Sequence, residues 1–261
     1  MRKYLILLCV FVLVCGTIAY ARMNLTVTAG ENAAAPGGGG GYETPTFRSI
    51  SQSAGTLGPG DPITLTTYAD ALVVADGDLV VCVVGGTQSL VGITVGGESL
   101  VEIEEIVAGY YVSLWYKEDA AVNAAAAIVA DFSESANYVG FICAAYSNIA
   151  LSSALDEFSC NAAGCDALAT AAATRTSQNV TTDAQTDELL IGVEVSWDYS
   201  HTYTAAGSYT LRSGATTFNN SLVDLVVTST GTYPSGNFTT TDAQEDQYFS
   251  FFVTFNALVS P

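Results

Sequence analysis

The stretch TTDAQTDELLIGVEV (181–195) has a near copy later in the chain, TTDAQEDQYFSFFV (240–253). Each copy of Thr-Thr-Asp-Ala-Gln-x-Asp stands directly before a run rich in apolar residues. Asp favours turns because its carboxylate accepts hydrogen bonds from nearby backbone amides, and a charge at the end of a strand discourages edge-to-edge pairing. We therefore interpret the motif as two turns that lead into core strands, and not as a catalytic element.

The segments around these copies match an earlier part of the chain in the same order. Four pairs of segments align: GDLVVCVV (77–84) with DELLIGVEV (187–195), GGESLVEI (96–103) with AGSYTLRS (206–213), VSLWYKEDAA (112–121) with NSLVDLVVTS (220–229), and ADFSESANYVGFICAAYSN (130–148) with TTDAQEDQYFSFFVTFNAL (240–258). Similar elements at similar spacing predict two related halves, at about residues 75–150 and 185–258.

The chain between these segments has the texture of strands and turns. Runs of Val, Ile, Thr, Tyr and Phe are broken by clusters of Gly, Asn, Asp and Ser, and helical periodicity is nearly absent. This pattern predicts an all-β fold over residues 46–261, a jelly-roll-like antiparallel β-sandwich built from two similar halves. Two separate small sandwiches are the alternative, since each half alone has only about five strands by this count.

The first residues have the features of a secretory signal. Arg2 and Lys3 precede an apolar stretch, and Ala19-Tyr20-Ala21 offers a small-x-small cleavage site. We expect residues 1–21 to be removed and the mature protein to be secreted, extracellular or attached to the cell surface. The sequence contains no second long apolar run, so we expect no membrane span.

Residues 22–45 are predicted to form a strand on a flexible linker. Asn24, Leu25, Thr26, Val27 and Thr28 alternate polar and apolar side chains, as a short strand does. The five consecutive glycines that follow, Gly37–Gly41, have high conformational freedom. The segment is either a frayed terminus or a donor strand that adds to the sheet of a neighbouring subunit.

The charge of the chain limits the classes of molecule that it is expected to bind. The chain has a formal net charge of −19, and two of its seven basic residues, Arg2 and Lys3, lie in the predicted signal. Such a surface repels phosphate backbones and anionic lipids, which argues against nucleic acid and membrane surfaces as partners. Other copies of the same chain are the favoured partner, and glycans are the alternative.

Four cysteines lie beyond the predicted signal. Cys160 and Cys165 flank a short loop that contains glycine, and we expect them to form a disulfide in an oxidising compartment. Cys82 and Cys143 each lie inside an apolar run. They form either a bridge between two sheets or a pair of inert buried thiols, and the sequence leaves both alternatives open.

Two groups of side chains are candidate binding residues. Trp197, Tyr199, His201 and Tyr203 share parity in WDYSHTYT, so on an exposed strand they would form a row of rings able to stack on sugars. Buried, the same row is one face of the core.

Carboxylates near the first TTDAQxD copy, those of Asp183, Asp187 and Glu188, are candidate calcium ligands. Solvated turn acids are the plainer interpretation of this group, because no segment fits an EF-hand loop. We expect no cofactor, with calcium as the one alternative left open.

Catalysis has little support in the sequence. It contains no G-x-S-x-G, no H-E-x-x-H and no G-x-x-x-x-G-K-[ST] motif, and it has a single histidine. Lys117 is the only lysine after the predicted signal. We expect the protein not to be an enzyme.

Three strand segments are the basis of a resemblance to other β-proteins: GDLVV (77–81), SLWY (113–116) and AAYSN (144–148). In texture, residues 66–256 resemble β-sandwich modules of secreted bacterial and phage surface proteins. The resemblance implies a structural or adhesive role and transfers no functional residue.

Two functional hypotheses follow. The first is a structural subunit of an extracellular filament, sheath or fibre that polymerises by donor-strand addition of residues 24–28. The second is a carbohydrate-binding or adhesin module that uses the aromatic row between Trp197 and Tyr203.

Overall fold

The structure is a computed structural model in which Gly40–Pro261 forms one compact unit. It describes residues 41–55, 63–64, 72–107, 110–122, 124–134, 139–160, 169–171, 174–175, 179–182, 187–196, 203–212, 220–233, 238–240 and 246–260. Within these ranges the regular structure is entirely β, with no helix.

The strands of the first half are β1 (Thr46–Gly55), β2 (Ile63–Thr64), β3 (Leu72–Val74), β4 (Asp78–Gly86), β5 (Leu90–Val95), β6 (Glu98–Ser99), β7 (Val101–Val107), β8 (Tyr111–Ala120), β9 (Ala124–Ala126), β10 (Ile128–Phe132) and β11 (Val139–Ser147). Those of the second half are β12 (Leu155–Cys160), β13 (Ala169–Ala171), β14 (Thr174–Arg175), β15 (Val180–Thr182), β16 (Glu188–Ser196), β17 (Tyr203–Ala205), β18 (Thr210–Leu211), β19 (Asn220–Val227), β20 (Gly231–Tyr233), β21 (Phe238–Thr240) and β22 (Asp246–Asn256).

The first half forms two antiparallel sheets. Inner sheet A has the strand order β1-β11-β4-β8-β7, and outer sheet A has the order β2-β10-β5-β6. The chain passes repeatedly between the two sheets, from β1 to β2, from β4 to β5, from β6 to β7 and from β10 to β11, as it does in a jelly roll. A short pair, β3 with β9, accompanies them.

The second half repeats this plan. Inner sheet B has the order β12-β22-β16-β19-β18, with β13 also paired to β22, and outer sheet B has the order β14-β21-β17. The pair β15 with β20 takes the place of β3 with β9. The predicted fold class, an all-β antiparallel sandwich of two similar halves, is confirmed.

The inner strands are apolar on both faces because both faces are covered. Every residue of β4 is buried. Period-two alternation directs Val81 and Val83 to a core shared with the second half, and Val80 with Cys82 to a core beneath outer sheet A. We call these the central core and outer core A.

The central core joins the halves. It combines Ile142 and Leu114 of inner sheet A with Leu189 and Phe251 of inner sheet B, among other fully buried side chains. Across it, the Tyr116 and Phe255 rings lie 5.8 Å apart between centroids. The apolar side chains that each half buries here would otherwise meet water, so the central core stabilises both halves together.

Polar contacts also cross between the halves. The guanidinium of Arg212 lies 4.4 Å from the ring centroid of Phe47 and pairs with the buried Asp224 carboxylate at 2.7 Å. The side-chain amide of Gln52 donates to the Asn220 carbonyl at 2.8 Å. Burial raises the pKa of the Tyr146 phenol well above its ordinary value, and the nearby Asp224 carboxylate raises it further. The contact between the halves is therefore a specific one.

Apart from β6 and β13, the strands of the two halves correspond in order, but the sequence alignment of the last strand is one residue out. Leu79 pairs with Tyr146 and Leu189 pairs with Phe255, so Tyr146 corresponds to Phe255, whereas the alignment matched it to Asn256. A slip of one residue exchanges the two faces of a strand, and burial decides the register. Both first strands also carry a bulge at matching places, between Phe47/Ser49 and between Leu155/Phe158.

Each TTDAQxD copy joins a short strand to a long one. Thr182 ends β15 before β16 begins at Glu188, and Thr240 ends β21 before β22 begins at Asp246. The strands that follow, β16 and β22, pair with each other at the centre of inner sheet B. The motif therefore precedes the two strands that hold this sheet together.

Candidate functional site

The chain enters the body of the fold at a fixed point beside the last residues. Tyr42 forms a β-bridge with Val259. The Glu43 amide donates to the Leu258 carbonyl, and the Ser260 amide donates to the Gly41 carbonyl, both at 2.8 Å. The first described residues are therefore tied to the last ones at one end of the sandwich, which we call the entry end.

The connection between the halves is held at the same end. The two oxygens of the Glu118 carboxylate accept hydrogen bonds from the Ser153 amide at 3.1 Å and the Ala154 amide at 2.7 Å. The Asn148 side-chain amide donates to the Thr44 carbonyl at 2.9 Å. Charge-assisted bonds of this kind are stronger than neutral ones, so Glu118 orders the segment that leads into β12.

The edge strand β7 carries exposed apolar and acidic side chains together. Val101 and Val107 at its two ends are 57% and 52% exposed. Between them lie Glu102, Glu104 and Glu105, and the Ser89 hydroxyl donates to Glu105 at 2.7 Å. Burial raises the pKa of Glu102, and the charges of Glu105 and Glu104 raise it further. These carboxylates crowd each other along a strand edge.

A bulge divides the faces of β7. Val101 lies opposite Tyr116 and Glu102 opposite Trp115, and the register shifts before Glu104. Val101 therefore shares the central-core side with Ile103, which packs against that core. Glu102 and Glu105 face the other side, because their partners Trp115 and Ser113 point toward outer core A.

The other edge strands of the inner sheets are either in contact with a neighbouring strand or short. The Ser49 hydroxyl of β1 donates to the Val73 carbonyl at 2.7 Å, and β3 lies against β1. The Glu157 carboxylate of β12 accepts from the Thr181 amide of β15. The last strand of inner sheet B, β18, has two residues. Three long strands, β1, β12 and β7, end the strand orders of the inner sheets. Among the described strands, β3 lies against β1 and β15 against β12, whereas β8 is the strand that packs closely against β7.

The aromatic row is described at one position. Tyr203 is 2% exposed and packs against Val223 beneath outer sheet B. Trp197, Tyr199 and His201 lie outside the described residues. Tyr203 thus has the core environment that was the alternative for this row, and a ligand role for the other three stays a prediction.

The predicted calcium ligands are described in part. Glu188 is fully buried at the start of β16, and the Asp187 carbonyl accepts a hydrogen bond from the Ala257 amide at 3.2 Å. Asp183 lies outside the described residues. Within the described ranges, no three His, Cys, Asp or Glu side chains lie close enough to hold a metal ion.

The cysteines behave differently from one another. Cys82 and Cys143 form a disulfide between β4 and β11, which are neighbours in inner sheet A, so the bridge joins strands of one sheet and not two sheets. Cys160, at the end of β12, is disulfide-bonded. Cys165 lies outside the described residues, and its pairing with Cys160 stays a prediction.

The predicted donor strand, Asn24, Leu25, Thr26, Val27 and Thr28, also lies outside the described residues. The acidic edge at β7 is the feature that sequence reasoning missed. Its signal is present in VEIEEIV (101–107), because valines at both ends of a strand with three glutamates between them are typical of an exposed edge that resists uncontrolled pairing.

Comparisons with protein-family models, curated proteins and solved structures find no match for this chain. Across the ranges that the structure describes, no helix is long and apolar enough to cross a membrane.

Proposed function

We propose that the protein is a structural subunit of an extracellular or cell-surface assembly, such as a filament, sheath or fibre. In this assembly, the N-terminal segment of one copy adds as a strand to the body of the next copy. The observation that carries the proposal is the entry end, where hydrogen bonds from Glu43 to Leu258 and from Ser260 to Gly41 tie the first described residues to the last ones.

A tethered start of the described chain suits strand donation. Gly40–Pro261 is one compact unit with a shared central core, so a strand that precedes Gly41 would be offered to a neighbour in the same way by every copy. Leu25 and Val27 share one face of the predicted strand, and burying such side chains on a neighbour contributes roughly 1.5–3 kcal/mol each. The backbone of the added strand also gains hydrogen bonds at a sheet edge.

The test compares the chain 22–261 with a version that lacks residues 22–36. Electron microscopy and light scattering on both samples give their form and mass. Strand donation predicts ordered polymers from the longer chain and monomers from the shorter one.

A matched pair of variants separates strand donation from a simple need for length. Leu25→Ser/Val27→Ser removes the apolar face and should prevent assembly, whereas Thr26→Ser/Thr28→Ser changes the other face and should leave assembly intact. Monomers from the unaltered chain 22–261 would overturn the proposal, and sugar binding at Trp197 would become the next question.

A further inference from the structure

We propose that β7 of one copy is the edge that receives residues 22–28 of a second copy, with Leu25 and Val27 packing beside Val101 and Ile103 and with Arg22 facing Glu102 and Glu105. This inference rests on the proposed function and names the surface that the donor strand uses.

The apolar side chains match by parity. In an extended strand, Leu25 and Val27 fall on one face and Arg22 and Thr26 on the other. On β7, Val101 and Ile103 point to the rim of the central core. A strand added beside β7 with Leu25 and Val27 on that side extends the central core and covers Val101, which is otherwise more than half exposed.

The charges match on the opposite face. With Leu25 and Val27 on the core side, Arg22 lies on the same side as Glu102 and Glu105. Residues 22–28 contain this one arginine and no acid, and cleavage after Ala21 would add the positive charge of a free amino terminus. Burial is the main cause of the raised pKa of Glu102, and the charges of Glu105 and Glu104 add to it; a cation next to these carboxylates offsets that second contribution.

Charge also argues against the β7 strand of a second copy as the strand that pairs with this edge. Two β7 edges that paired with each other would bring six glutamates together, and like charges on directly opposed strands are destabilising. The N-terminal segment of a second copy supplies the opposite charge. We therefore assign the edge to that segment.

The geometry produces an open chain of subunits. The described chain begins at Gly41, shortly before β1, and β7 lies at the opposite edge of inner sheet A, about 19 Å from β1 over four strand spacings. Donor and acceptor are thus different surfaces of one molecule, and such head-to-tail contacts form filaments when they do not close. Residues 29–40 reach at most about 40 Å when extended, which allows a link to a neighbour in contact.

The first test is a charge swap on the chain 22–261, with assembly followed by light scattering over a range of concentrations. Glu102→Lys/Glu105→Lys should raise the concentration for half-assembly about tenfold. Adding Arg22→Glu to this variant should restore much of the loss. The control Asp131→Lys/Glu134→Lys makes the same change of net charge at exposed positions in β10 and just after it, and should shift assembly less than about twofold.

The second test does not depend on charged side chains. One copy carries Val27→Cys and a separately tagged copy carries Val101→Cys, and the mixture is oxidised and analysed by mass spectrometry. A disulfide between the two tagged chains is the expected result, since directly opposed side chains on paired strands have Cβ atoms about 5 Å apart. The native Cys82–Cys143 bridge is fully buried and does not compete.

The outcomes separate this inference from the proposed function. If deletion of residues 22–36 prevents assembly but the charge reversal on β7 changes nothing and no cross-link forms, the function stands and β7 is not the acceptor. A cross-link that forms only within one chain carrying both cysteines also overturns the inference, because the strand then folds back on its own body. If the deletion leaves assembly intact, both proposals fail.

Discussion

Cys82 pairs with Cys143 at the centre of inner sheet A, and at the same register of inner sheet B Gly192 pairs with Phe252. Both pairs join the second and third strands of a five-strand order, and both lie on the face turned away from the central core. A covalent bond holds the strands in one half. In the other half, Phe252 lies opposite Gly192 and packs with Val180, Leu190 and Val227.

The difference shows that the strand order does not depend on any one pair of side chains. The halves share the inner-sheet topology, the register and the position of a bulge, yet outer core A contains a disulfide and, among its described residues, no tyrosine, whereas the second half places Tyr203, Tyr209 and Tyr233 under its outer strands. Burial raises the pKa of the Tyr209 phenol, and its electrostatic interaction with Tyr233 raises it further. What the halves must share is alternation, turn positions and a matching face for the central core.

The largest loss of unfolding free energy is expected for substitutions in the central core. There, equivalent substitutions in the two halves should destabilise the protein alike. Phe251→Ala should lower the free energy of unfolding by about 3–5 kcal/mol, because it leaves a cavity among fully buried side chains. Since both inner sheets line this core, we expect one unfolding transition for the whole body, measured by scanning calorimetry as agreement of calorimetric and van't Hoff enthalpies.

Two variants calibrate that experiment. Ile142→Ala, at the equivalent position of the first half, should also lower a single shared transition. Val91→Ala, at a side chain 67% exposed, should change little. A first half that keeps its own unchanged melting temperature in Phe251→Ala would show that the halves fold independently and that the shared core does not couple them.

The disulfide should contribute the next largest effect, and only the first half has one at this register. Cys82→Ala/Cys143→Ala should cost about 2–4 kcal/mol in urea unfolding, because the bond closes a long loop in the unfolded chain. Cys82→Val/Cys143→Val restores volume without the bond and should be destabilised to a similar degree. Wild-type stability in the valine variant would assign the effect to packing instead.

A smaller effect is expected at Glu118, which holds the segment between the halves. Glu118→Gln keeps one acceptor oxygen and loses the other together with the charge, so unfolding should be easier by about 1–2 kcal/mol. Asp119→Asn removes the same charge at the next residue, which is exposed, and serves as the control. Equal effects of the two variants would mean that charge alone, and not the two hydrogen bonds, accounts for the loss.

The smallest effect should be a gain in the free energy of unfolding when Glu102 is replaced. The equivalent position of the second half is occupied by Leu211. A carboxyl whose pKa is raised by folding stabilises the fold while protonated, and this contribution is lost as the pH rises through the raised pKa. Glu102→Gln should therefore stabilise the monomer by a few tenths of a kcal/mol at pH 7 and not at pH 3.5, as measured by urea midpoints at both pH values. A gain of the same size at both would exclude titration as its cause.

The edge at β7 and the disulfide show where sequence reasoning reached its limit. VEIEEIV reads as a strand, but whether a strand is central or at an edge depends on which strands lie beside it. That neighbourhood is set by long-range pairing along inner sheet A. The partner of Cys82 was ambiguous for the same reason, since two cysteines in separate apolar runs can face each other in one sheet, bridge two sheets or remain apart.

The sequence by itself determined that this protein is an antiparallel β-sandwich of two similar halves, because period-two alternation, turn residues and repeated order are local properties of the chain. Only the tertiary structure decided which face of each inner strand belongs to which core. Strands such as DLVVCVV are apolar on both faces, so alternation does not distinguish them, and the register of the last strand was one residue from its alignment for that reason. Burial on two sides removes the polar positions that mark a face, and packing against the other half then decides it.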